Sequence, residues 1–152
     1  MDELEMLKKA KGYALRLFKL RPQSALELAQ KLRLKGYGEE IVEKIVLDCK
    51  ISGFVNDEEF AKAWLTSRLK KYGFRRVTLE LERKGIGKEF IQKAWAETRN
   101  DYDEEALVRD IVARRVRVYQ TIPPLKRKKR TMDYLIRRGF GLETINKVLR
   151  EL

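Results

Sequence analysis

At 152 residues the chain is long enough to bury a sizeable core, and 43% of it is hydrophobic. No apolar run reaches the length of about eighteen residues that a membrane-spanning helix needs, and the acidic start (Asp2, Glu3, Glu5) has no secretory pattern. The net charge is +12, with one Cys and no His, which removes His-based acid–base catalysis, a Cys–His nucleophile, His-ligated zinc and an internal disulfide.

In chain order, a first helix is predicted from about Glu3 to Lys19, with Leu4, Leu7, Ala10, Ala14, Leu17 and Phe18 on one side. A second helix ends at Gly36 and a third follows Gly38, with Val42, Ile45 and Val46 in one stripe. Cys49 falls on the apolar side of that third helix and reads as a small buried hydrophobe. Asn56 then caps a fourth helix, with Glu59 at the N3 position of a capping box and Ala61, Trp64, Leu65, Arg68 and Leu69 beyond it. The helices around Gly85 and Gly87 follow, the latter carrying Ile91, Ala94 and Trp95. A seventh helix is predicted from about Glu104 to Tyr119, stopping before Pro123-Pro124, which cannot continue it. The last helices flank Gly139 and Gly141, with Met132, Leu135 and Ile136 before the turn and Ile145, Val148 and Leu149 after it. Strict apolar/polar alternation is missing throughout, so no sheet is expected.

These elements repeat. Lys35-Gly36-Tyr37-Gly38, Lys84-Gly85-Ile86-Gly87 and Arg138-Gly139-Phe140-Gly141 lie 49 and 54 residues apart. Before each first Gly, at the same offset, stands Leu32, Leu81 or Leu135. After it come Glu40, Glu89 or Glu143, then Val42, Ile91 or Ile145, then Lys44, Lys93 or Lys147. The first Gly suits a helix C′ position with φ > 0, and the second suits an N-cap. The expected fold is all-α: three tandem three-helix repeats at residues 1–55, 56–100 and 101–152, forming an elongated, curved array.

Charge is uneven along the array. Residues 1–61 hold 11 basic and 11 acidic side chains, whereas residues 62–93 hold 10 and 3 and residues 109–152 hold 13 and 4. The densest run is Lys126-Arg127-Lys128-Lys129-Arg130. Such a block repels itself and marks a surface for a polyanion, or else a solvated helix start. The candidate contact residues are Arg68, Lys70, Lys71, Arg75, Arg76, Arg83, Arg114, Arg115 and Arg117, together with Lys126, Arg127, Lys128, Lys129 and Arg130. They are expected on the first and second helices of the second and third repeats. The neutral residues 1–61 are expected to matter less for anion binding. The acidic stretch Asp101–Glu105 fits a helix start better than a metal site, and neither metal nor cofactor is expected. Base readout by a helix-turn-helix is disfavoured, because Glu39-Glu40, Glu89 and Glu143 lead the third helices. The Gly-X-Gly turns are also like those of helix-hairpin-helix modules, but the residue six after the first Gly is bulky in all three copies.

The order of motifs resembles the RecX regulatory proteins of bacteria. The matching stretches are Tyr13-Ala14-Leu15-Arg16-Leu17, Arg21-Pro22-x-Ser24-x-x-Glu27-Leu28 and Leu32-x-x-Lys35-Gly36-Tyr37. Further on they are Gly53-Phe54-Val55-Asn56-Asp57-Glu58-x-Phe60-Ala61 and Glu80-Leu81-x-x-Lys84-Gly85-Ile86. The resemblance implies a regulator, not an enzyme. It would bind the RecA recombinase along the groove of its nucleoprotein filament, usually inhibit it, and also bind single- and double-stranded DNA. A cytoplasmic monomer is expected. Two other readings stay open: a DNA-binding helical module with no recombinase partner, and an adaptor for another acidic protein.

Overall fold

The computed structural model describes residues 2–151, and among these it is helical, with no strand. Repeat one holds α1 (Glu3–Leu20), α2 (Ala25–Leu34) and α3 (Glu39–Ile51). Repeat two holds α4 (Asp57–Arg68), α5 (Phe74–Arg83) and α6 (Lys88–Thr98). Repeat three holds α7 (Glu104–Val118), α8 (Pro124–Arg137) and α9 (Leu142–Arg150), after a short 3-10 turn at Arg99–Asp101. The fold is the expected array of three-helix repeats.

The helix ends have local causes. Asp2 Oδ1 accepts from the Glu5 N–H at 2.8 Å, Asn56 Oδ1 from Glu59 at 3.1 Å, and Asp103 Oδ1 from Ala106 at 3.0 Å. Ser24 and Glu27 form a full reciprocal capping box on α2. Gly36, Gly85 and Gly139 have φ of +99°, +77° and +88°, and Gly38 and Gly141 sit at N-caps with extended backbone. The third-helix stripes are inside: Val42, Ile45, Ile91, Ala94, Ile145, Val148 and Leu149 are all buried. Leu4 and Ile136 depart from expectation and are exposed. Leu4 lies in the first turn of α1, ahead of the buried Ala10 and Ala14, and Ile136 lies beside the buried Leu135 but off its face. Cys49 is buried as expected, and burial pushes its thiol pKa up.

The chain groups into two compact units. One is the chain up to Lys62 with Leu81–Gln92; the other is Ala63–Glu80 with the chain from Lys93 on. Within each unit the same device recurs. The carbonyl just before the repeat glycine meets the N-cap of the preceding repeat's second helix. In the first unit Ser24 Oγ donates to Lys84 O at 2.7 Å. In the second, Gly73 N–H donates to Arg138 O at 2.8 Å. These approaches leave no room for a side chain at the turn. A Cβ on Gly85 would lie 2.6 Å from Leu26 Cβ, and one on Gly139 would lie 2.4 Å from Arg76 Cβ. Gly36 needs only its backbone angle, for nothing lies within 4 Å of where its Cβ would be. Two of the three repeat glycines therefore serve close packing as well as helix ending, a role their spacing alone does not reveal.

An ion-pair cluster reinforces the first unit. Glu27 accepts from Arg21 Nη2 at 2.5 Å, Lys84 Nζ at 2.9 Å and the Ser24 N–H at 3.1 Å. Burial alone would raise its pKa, but these hydrogen bonds outweigh burial and hold the carboxyl at about 2.

Candidate polyanion-binding surface

In the second unit, guanidinium groups stack on two tyrosines. Arg68 closes α4, and the turn after it brings Tyr72 up to the start of α5. Arg68, Arg76 and Arg138 lie 4.2, 4.2 and 4.7 Å from the centre of the Tyr72 ring. Arg138 also lies 4.9 Å from the Tyr134 ring centre, and Arg115 lies 3.5 Å from it. Guanidinium is planar and weakly hydrated, so a ring face holds it without consuming its in-plane donors. Backbone carbonyls steady two members: Arg138 Nη1 donates to Lys71 O at 3.1 Å, and Arg76 Nη1 to Arg137 O at 3.4 Å. Arg68 is neutralised by Glu80 through bonds of 2.8 and 3.2 Å, and the hydrogen bond to Glu80 raises its pKa. Arg76, Arg115 and Arg138 are in none of the ion pairs among the described residues. Within the cluster, the donors these three do not give to backbone carbonyls are open to an anion.

A cleft of about 610 Å³ opens between α7, α8 and the end of α9. Val116 and Leu149 give it apolar wall, Tyr119 a ring, and Arg127, Lys128 and Arg150 positive charge. Arg127 Nε is buried there without a hydrogen-bond partner among the described residues. The whole 126–130 run forms the first turns of α8, where the first turn has no acidic residue. Cations at the positive end of a helix dipole are unfavourable, so folding alone does not account for this run.

The predicted residues fall into groups. Arg68, Arg76 and Arg115 enter the tyrosine cluster. Lys70 and Lys71 stand exposed in the turn between α4 and α5, not on a helix as expected, because the helix ends at Arg68. Arg75 is exposed on α5, while Arg83, further along that helix, belongs to the first compact unit. Arg114 and Arg117 are exposed on α7, and Arg114 pairs with Asp110. Lys126, Lys128, Lys129 and Arg130 are exposed, whereas Arg127 is half-buried, so the run is not wholly outside the packed part of its repeat. Arg138 and the tyrosines Tyr72, Tyr119 and Tyr134 are not among the residues that charge counting selects. The signal for them is the i, i+4 spacing Arg68/Tyr72/Arg76, Arg115/Tyr119 and Tyr134/Arg138.

The acidic stretch at 101–105 is engaged in structure. Glu104 accepts from the Gly141 N–H at 3.0 Å and Thr144 Oγ1 at 3.2 Å. Glu105 pairs with Lys147 at 3.0 Å and with Arg109. Among the described residues no group of His, Cys, Asp and Glu is arranged to hold a metal, and no helix is long and apolar enough to cross a membrane.

Known proteins match every repeat. Models of the first, second and third three-helix domains of RecX match residues 10–49, 56–94 and 101–149. The Regulatory protein RecX of Caldanaerobacter subterraneus is 34% identical over 143 residues, covering 93% of this chain and 70% of that protein. That of Amycolatopsis mediterranei is 33% identical over 149 residues, covering 97% and 85%. The crystal structure of RecX from Lactobacillus salivarius matches with a TM-score of 0.76 at 18% identity, over 98% of this chain and 97% of that one, a likeness of fold. With the match running through all three repeats, this chain belongs to the RecX family of regulatory proteins.

Proposed function

We propose that this protein binds the nucleoprotein filament of the RecA recombinase along its groove and lowers the filament's ATPase and recombination activities. The observation that carries the reading is the RecX match in each of the three repeats. The stacked arginines supply a physical means. A filament of recombinase on DNA offers phosphates and carboxylates together. Arg76, Arg115 and Arg138 present forked donors suited to either, already oriented by ring faces and, for Arg76 and Arg138, by backbone carbonyls. The exposed part of the 126–130 run adds the long-range attraction that speeds encounter. The repeats at 1–55, 56–100 and 101–152 act in this reading as successive binding modules of one cytoplasmic monomer.

A second reading is a sequence-nonspecific DNA-binding module without a recombinase partner. It is favoured by the acidic leading edges of α3, α6 and α9, which disfavour base readout and leave the DNA backbone charge as the point of attraction. Titrating the protein into recombinase turning over ATP on single-stranded DNA separates the two. Inhibition at substoichiometric protein supports filament regulation. Inhibition only at amounts that coat the DNA supports the second reading.

A further inference from the structure

The first repeat carries the docking turn with nothing docked on it. Lys84-Gly85 and Arg138-Gly139 each receive a hydrogen bond from a preceding repeat. Lys35 and Gly36 are exposed instead. They line a groove of about 710 Å³ with Lys8, Lys9, Gly12 and Arg16 of α1. Among the described residues no carboxylate lines it. None of Lys8, Lys9, Arg16 and Lys35 takes part in an ion pair among the described residues, although Lys11 and Lys44 of the same repeat are paired with Asp48 and Glu3. Of the acidic residues in this repeat, Glu3, Glu27, Glu39 and Asp48 are paired with other cations. Gly12 adds an independent sign. It stands in mid-helix, where Gly costs about 1 kcal/mol against Ala. A Cβ there would meet only Arg16 Nη1, at 3.9 Å, so packing does not demand the glycine. What it does is keep the helix backbone low between cations.

We infer that this groove is a second site for the phosphodiester backbone of nucleic acid, made of residues wholly different from the arginine–tyrosine surface. Converging cations without acidic partners, over a floor bared by glycine, suit a chain of closely spaced phosphates that must approach the protein backbone. Residues 1–61 then contribute to anion binding despite their neutral count. The site rests on the nucleic-acid part of the proposed function and needs no recombinase.

The test uses the full chain and a fluorescent single-stranded oligonucleotide, with anisotropy read across a salt series. Lys8→Gln/Lys9→Gln/Arg16→Gln should weaken binding at least tenfold at low salt. It should also lower the salt slope by about 0.7 for each phosphate no longer neutralised, so by about 2 for the triple variant. Gly12→Leu changes no charge. It should keep the helical circular dichroism, raise or hold Tm, and weaken binding by filling the groove. Unchanged affinity and slope in both variants would overturn the site. So would competition by poly-glutamate as effective as that by unlabelled oligonucleotide, which would assign the groove to acidic protein. A wild-type dimer dissolved by the triple variant in sedimentation would overturn it too, by assigning the groove to a second copy. The recombinase ATPase assay is read separately, so failure here leaves the filament reading standing.

Discussion

Glycines with the same backbone angle carry different burdens. At Gly36 an alanine meets open space and suffers only the left-handed backbone, a cost of about 1 kcal/mol. At Gly85 and Gly139 the same methyl also strikes Leu26 or Arg76. We expect Gly36→Ala to lower stability by about 1 kcal/mol, and Gly85→Ala and Gly139→Ala by about 2–4 kcal/mol each. Urea denaturation of the three variants checks the order; equal losses would show that the close approaches are not rigid. Glu27 gives the residue-scale pH dependence. Its folded pKa of about 2 lies below the ordinary carboxylate value of 4.5. Stability from this group is therefore present above about pH 4.5 and is lost as pH falls toward 2. The shift corresponds to about 3 kcal/mol. Glu27→Gln should destabilise at pH 7 by about that much and flatten the acid limb of the stability curve between about pH 4.5 and 2. Urea midpoints measured across that range check it.

At the scale of elements, α8 exchanges stability for charge. Lys126→Glu/Lys128→Glu/Lys129→Glu removes positive charge from the first two turns, places one carboxylate (at position 126) in the first turn at the positive end of the dipole, and spares the half-buried Arg127. The variant should be more stable by about 1 kcal/mol, yet bind DNA more weakly with a shallower salt slope. Thermal melts and anisotropy must move in opposite directions; a loss of both would mean the run is needed for folding. The start of α8 also differs from its counterparts. Ser24 and Gly73 donate the bonds that seat the next repeat, but Pro123 at the α8 N-cap has neither a hydroxyl nor an N–H to donate. Helix order, the Gly turns, the Asn56 cap and the apolar stripes are legible in the sequence because each is set by residues within one or two turns. The seating bonds are not, since Ser24 meets Lys84 and Gly73 meets Arg138 only after the chain has folded. Leu4 and Ile136 mislead for a related reason: periodicity marks an apolar face but not where the neighbouring helix stops covering it.

Across the molecule, charge counting finds the basic residues but not their arrangement. It picks out Arg68, Arg76 and Arg115, yet misses the tyrosines and Arg138 that organise them, because Tyr72 and Arg138 are distant in sequence. It also scores the first repeat as neutral, since a sum cannot tell a paired lysine from an unpaired one. Lys44 is held by Glu3, while Lys8, Lys9 and Arg16 are in no ion pair among the described residues. In the proposed function the ring-stacked arginines of the second unit act on the recombinase filament. The most direct measurement is the steady-state ATPase rate of RecA on single-stranded DNA, with wild type and with Arg76→Gln/Arg115→Gln/Arg138→Gln titrated in, both verified as folded by circular dichroism. The wild type should inhibit at substoichiometric amounts, and the variant should need at least tenfold more protein. Equal inhibition by the two proteins, or none by the wild type at any ratio, would contradict the account.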